Sequence, residues 1–134
     1  MILGIGHDMC DQRRIASLLE RFGTRFTSRI LSSSEQAELG ARKNKVAYIA
    51  GRFAVKEAVY KALSAADQSH MRWQHASTIS SASGAPKLVL SGACLAGAEA
   101  LLPAGHQLQA LVSITDEPPY SSAFVVLNAV ADNK

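Results

Sequence analysis

Cysteine is scarce in this chain: Cys10 and Cys94 are the only two. Two thiols cannot build a multi-bridge secreted scaffold, so a reducing compartment is expected. Long apolar runs are absent as well. No stretch approaches the ~20 consecutive apolar residues of a membrane-spanning helix. The opening Met1 to Gly6 segment lacks the basic start and longer apolar run of a secretory signal. A cytoplasmic location with no membrane partner is the expectation. Charge is limited too: 14 Lys plus Arg against 11 Asp plus Glu leave a net +3. So small an excess favours an acidic partner or a phosphate ligand without demanding either, and it ranks nucleic acid behind them. His70 and His75 have no cysteine pair or third ligand at zinc spacing. Ser113 sits in no Gly-x-Ser-x-Gly elbow, which argues against a serine hydrolase.

What remains is enough for a folded domain. The 134 residues are 48% apolar and 19% charged, which excludes wholesale disorder. Residues 1–134 read as a single domain, without repeat or linker. Residues 2–7 predict a buried strand with Asp8 at its end. Gly4 and Gly6 leave one face of that strand bare, open to close approach by backbone or ligand. Ile15, Leu18, Leu19 and Phe22 then recur at helical spacing, with Asp11 as N-cap and Gly23 as C-cap. Ser32 to Glu35 reads as a capping box opening a short helix toward Leu39. The strongest helix covers about residues 46–66, rich in Ala and free of Pro. Strands at residues 75–80 and 86–90 flank a turn at residues 83–86. A small helix at residues 92–102 ends at Pro103 and Gly105. Strands at residues 108–115 and 121–130 form a hairpin around residues 116–119. Without regular βαβ alternation, the class is α+β.

The chemistry concentrates in the long helix, from Arg52 to Lys61. Arg52 and Lys56 are four apart, as are Glu57 and Lys61, so each pair shares a face. Alone, Glu57 and Lys61 make an ordinary ion pair worth roughly 0.2–0.5 kcal/mol. A second carboxylate would turn the pair into a site, and Asp8 is the candidate. Two carboxylates, completed by waters and substrate phosphate, are how proteins commonly hold Mg2+. Arg14, Arg21 and Arg25 follow at i, i+7 and i+11, close to one helix face. That face is either simply solvated or a docking face for an acidic partner.

These residues carry a family resemblance. Ile5-Gly6-His7-Asp8 with Arg14-Ile15 is similar to a first motif of Gly-x-Asp and then Arg-Ile. Residues 52–63, with Lys56-Glu57-Ala58 and then Lys61-Ala62, resemble a second. Ser83-Gly84-Ala85-Pro86 resembles a third, and Val112-Ser113-Ile114-Thr115-Asp116 a fourth. Order and spacing agree over about residues 2–130. The chain thus resembles the 4′-phosphopantetheinyl transferases, in their short bacterial holo-acyl-carrier-protein synthase form.

The resemblance implies an antiparallel sheet packed against the long helix. It implies transfer of 4′-phosphopantetheine from coenzyme A to a serine of apo acyl carrier protein, releasing adenosine 3′,5′-bisphosphate, in fatty acid biosynthesis. Asp8, Glu57 and Lys61 would be the catalytic set, with Asp8 and Glu57 on Mg2+. Glu57 or a metal-bound water would take the serine proton, and Lys61 would steady the pyrophosphate. Arg52 and Lys56 would join Lys61 on the coenzyme A phosphates, and Gly84 and Pro86 would wall the nucleotide. Arg14, Arg21 and Arg25 would meet the carrier protein. Members of this type assemble as homotrimers with the site between subunits.

Three departures from the family pattern stand out. Ser64-Ala65-Ala66 stands where a Gly-[Ser/Thr]-Gly run is usual, and Leu111 and Asp116 stand at histidine positions. The first departure keeps open a member that binds coenzyme A or carrier protein without efficient turnover. A basic nucleic-acid-binding module is the other alternative. His7 either touches phosphate or packs at the strand end. Cys10 and Cys94 read as small buried residues, and Trp73 as core or pocket wall.

Overall fold

The computed structural model describes residues 1–133. Along the chain run β1 (Ile2–Asp11), α1 (Gln12–Phe22), α2 (Thr24–Ile30), α3 (Ser33–Gly40) and α4 (Lys45–Ala62). A 3-10 turn (Trp73–His75), β2 (Ala76–Ser80), β3 (Pro86–Leu90), α5 (Gly92–Ala100), β4 (His106–Glu117) and β5 (Tyr120–Ala131) follow. One antiparallel sheet has the order β1-β5-β4, and β2 and β3 form a second. No helix among the described residues is long and apolar enough to cross a membrane.

The long helix is the centre of the molecule. Its Ile49, Ala50, Ala54, Val55, Ala58, Val59 and Ala62 are buried, against an inner sheet face that includes Ala123, Val125 and Leu127. The bare face of β1 explains how closely they meet. A Cβ at Gly4 would overlap the carbonyl of Ala62, and one at Gly6 the carbonyl of Ala58. Strand backbone therefore lies directly on helix backbone. Side chains alternate along β1, so Asp8 shares the face of Gly4 and Gly6 and is turned toward α4.

Several boundaries differ from the sequence expectation. Strand β1 does not end at Asp8. Pairing with β5 continues through Asp8–Ala123 to Asp11–Tyr120, because the hairpin partner is long enough to carry it. The helix expected to reach residue 66 stops at Ala62. There the Gln68 amide donates to the carbonyls of Tyr60 and Leu63, satisfying groups that a continuing helix would use. Residues 116 and 117 belong to β4 rather than to the turn, which is reduced to Pro118 and Pro119. His75 lies in the 3-10 turn, not in β2.

Helix α2 was not visible in the sequence. Its seven residues are too short to show a period, and Gly23 at φ 55° breaks it from α1. The capping box forms as expected, with Ser32 and Glu35 bonding each other's backbone N–H.

One sheet face is left uncovered. Ile5, Met9, Leu111 and Phe124 are all exposed, and the strand pairing places them on the side away from α4.

Candidate active site

Register on β1 and one turn of α4 bring Asp8, Glu57 and Lys61 together. The Lys61 ammonium donates to Asp8 Oδ1 at 3.0 Å and to the His7 carbonyl at 3.0 Å. Lys61 thus reaches across to β1 instead of forming the simple intrahelical pair with Glu57. Burial pushes the Glu57 carboxyl above its ordinary 4.5, and the charge of Asp8 pushes it further. Lys61 and Arg14 pull it back only partly. Two carboxylates that repel each other beside solvent are a donor set short of one cation. Among the described residues, no group of three or more His, Cys, Asp or Glu gathers to hold a metal. A hard ion that needs few protein ligands, such as Mg2+, fits this pair better than zinc does.

Beside Glu57 opens a cavity of about 340 Å³, walled by Tyr60, Met71, Arg72, Trp73 and Cys94. Trp73 is thus pocket wall, braced by Phe53 with ring centroids 5.3 Å apart. Lys56 also borders this cavity, but its amine is occupied elsewhere. It donates to Glu35 Oε1 and to the Ala76 carbonyl, each at 2.6 Å, and its side chain is 1% exposed. The amine expected on a coenzyme A phosphate is spent inside the protein.

Arg52, Gly84 and Pro86 form a second cluster around a depression of about 190 Å³, together with Arg42, Ser80 and Asp116. Arg52 and Arg42 stack on the ring of Tyr48, at 4.4 and 5.0 Å. Both pair with Glu38, at 3.4 and 3.6 Å. The Arg52 Nε is buried with no hydrogen-bond partner among the described residues. Gly84 is at φ 84°, a turn conformation that favours glycine. Arg42 was not among the expected site residues; the basic stretch of residues 42–45 was its one signal in the sequence. Arg52 and Glu57 are five residues apart on α4, hence about 140° apart around it. One chain therefore presents the two clusters on different faces.

The three partner arginines do not share one helix. Arg14 and Arg21 lie on α1 and Arg25 on α2, beyond the Gly23 break. Arg14 is 5.7 Å over the Phe53 ring, and its charge reaches Glu57, so it borders the site. Arg21 stacks on Phe22 at 5.1 Å. Arg25 lines an apolar groove with Leu18, Phe22, Phe26 and Arg29. His7 points to the outer sheet face and bonds Ser122 Oγ at 2.8 Å, away from Asp8. Burial lifts both Cys10 and Cys94 to about 11, so each stays a neutral thiol. Ser64, Ala65 and Ala66 form a turn, and among the described residues none other than glycine has positive φ. Alanine is not strained there. Asp116 accepts from Ser121 Oγ at 2.7 Å while lining the Arg52 depression.

Comparisons with known proteins identify the family and the fold. Residues 4–111 match the family described as the 4′-phosphopantetheinyl transferase superfamily. A holo-[acyl-carrier-protein] synthase of Methylobacterium sp. (strain 4-46) is 45% identical over 132 residues, 98% of each chain. The crystal structure of the Neisseria meningitidis holo-[acyl-carrier-protein] synthase superposes with a TM-score of 0.83 at 32% identity, covering 96% of this chain and 99% of that one. The Helicobacter pylori enzyme, solved in complex with coenzyme A, gives a TM-score of 0.75 at 30% identity, covering 92% of this chain and 99% of that one. With its α+β fold, its motif residues and these relatives in agreement, the chain is a transferase that belongs to the 4′-phosphopantetheinyl transferase superfamily.

Proposed function

We propose that this transferase moves 4′-phosphopantetheine from coenzyme A to a serine of an acyl carrier protein, at Asp8, Glu57 and Lys61. The observation that carries the reading is the joining of these three side chains across β1 and α4. Asp8 and Glu57 would hold Mg2+. Bound there, the ion supplies neutralising charge for the coenzyme A pyrophosphate. Lys61, held on Asp8, presents its ammonium to the same phosphates and steadies the departing bisphosphate. The serine oxygen forms a bond to the β-phosphorus, and the bond from that phosphorus to the bridging oxygen breaks. Adenosine 3′,5′-bisphosphate leaves, and the serine proton passes to Glu57 or to a water beside it.

The second cluster suits the nucleotide end. Arg52 and Arg42 supply positive charge, and the turn of Gly84 and Pro86 supplies a wall. Because the clusters face different ways on one chain, a neighbouring subunit's Arg52 cluster would complete the Asp8 site. The uncovered Ile5, Met9, Leu111 and Phe124 supply the apolar contact for a homotrimer. Arg14, Arg21 and Arg25 face solvent, where an acidic carrier protein would meet them. The setting is cytoplasmic fatty acid synthesis. The turn at Ser64–Ala66 needs no positive φ at these residues, which favours turnover over binding alone.

The test is intact-mass spectrometry of apo carrier protein after incubation with coenzyme A, Mg2+ and this chain. A gain of one phosphopantetheine, absent with EDTA, is expected. No gain with several carrier proteins and a working control enzyme would contradict the reading.

A further inference from the structure

The residue next to Glu57 makes the most deeply buried ionic contact described in the protein. Lys56 and Glu35 have side chains 1% and 0% exposed, and their charges meet directly. The Glu35 carboxylate also accepts the Ser32 N–H and the Thr78 N–H, each at 2.9 Å. Lys56 further donates to the Ala76 carbonyl. One ion pair therefore ties three elements: the first turn of α3, the middle of α4, and the start of β2. These are the elements that set the cleft. Glu57 follows Lys56 on α4, and Ala76 follows Trp73 and Arg72 on the opposite wall.

Stability alone does not account for such a pair. Replacing a buried ion pair by apolar side chains of similar volume is often neutral or stabilising. Hydrogen bonds, unlike apolar contacts, fix direction and distance, and this set fixes α4 against residues 72–76. We infer that Glu35 and Lys56 are positioning residues for the transfer, holding Glu57 at a fixed distance from the Arg72–Trp73 wall. The inference rests on the transfer reading above and gives Lys56 a role other than phosphate binding.

The experiment compares wild type with a Glu35→Leu, Lys56→Met double variant, which removes both charges together. Four quantities are read: the melting midpoint, Mn2+ binding by electron paramagnetic resonance, acrylamide quenching of Trp73, and kcat and KM. Trp73 is the only tryptophan, so its quenching reports this wall alone. A folded variant with a lower melting midpoint is expected, because the buried Thr78 N–H and Ala76 carbonyl lose their partners, with kcat and Mn2+ affinity each reduced about 10-fold or more. Trp73 should quench more readily, and KM for coenzyme A should change little. A folded double variant with wild-type kcat, Mn2+ affinity and quenching would overturn the inference. If that variant does not fold, Glu35→Asp decides: it keeps the charge but shortens the arm, and a folded Glu35→Asp with wild-type kcat would also overturn it. An inactive wild type would count against the transfer reading instead, and Mn2+ affinity and Trp73 quenching would still decide the positioning role.

Discussion

At Glu57 function and stability oppose each other. Burial and the charge of Asp8 both favour the protonated carboxyl, so its folded pKa lies above the ordinary 4.5. The folded state then binds that proton more tightly than the unfolded chain does. Its contribution to stability is present below about 4.5 and is lost as pH rises through the folded value. Glu57→Gln should therefore melt progressively higher relative to wild type as pH rises through this window, which thermal scans at several pH values would check. Glu38 behaves in the opposite sense. Burial raises its carboxyl, but the Ser80 N–H, the Tyr48 hydroxyl and Arg52 and Arg42 outweigh that and hold it below 4.5. Its contribution is present above 4.5 and is lost as pH falls through the folded value. The stability deficit of Glu38→Gln should shrink accordingly in acid. Asp8, Glu57 and Lys61 were legible in the sequence because motif order carried them. The true partner of Lys61 was not, since i,i+4 spacing points to Glu57 and only the β1–α4 contact brings Asp8 nearer. Lys56 was misread for a related reason: spacing pairs it with Arg52 and says nothing about Glu35, 21 residues away.

Among the elements, β1 against α4 is the contact that builds the site. Gly4 and Gly6 permit it, and their bare face was readable from their spacing. Gly6→Ala must push the strand from the Ala58 carbonyl. Overpacking of this kind costs about 1–3 kcal/mol, and here it also moves Asp8 away from Glu57. A drop in both melting midpoint and transfer rate is expected, whereas a fall in stability alone would separate the packing from the site. Period and capping revealed α1, a capping box α3, and an Ala-rich, Pro-free composition α4, because those signals lie within single segments. Gly23 was readable as the end of α1, but α2 is only seven residues long and shows no period of its own. The end of α4 and the reach of β1 depended on partners outside their own segments: the Gln68 amide and the length of β5. The groove of α2 also changes the expected partner face from one helix to two. Arg14→Glu should weaken use of the carrier protein, raising its KM. Because the charge of Arg14 reaches Glu57, kcat should fall as well.

For the whole molecule, the division of site residues between two faces of α4 is the main consequence. Asp8, Glu57 and Lys61 lie on one side, and Arg52, Gly84 and Pro86 on the other. If subunits share the site, Asp8→Asn and Arg52→Gln should each be inactive alone. After mixing and subunit exchange they should regain part of the activity, since some interfaces then pair two intact halves. No recovery from folded, exchanging subunits would place the complete site within one chain. Sequence motifs named the residues of both clusters but not their separation, because linear order does not say which face of a helix a residue takes in the folded chain. The central claim remains that Asp8 and Glu57 form the transfer centre. Its most direct test is the initial transfer rate of Glu57→Gln at saturating Mg2+, with circular dichroism confirming the fold. The two-carboxylate site predicts a loss of roughly 100-fold or more. A folded variant at near wild-type rate would contradict it.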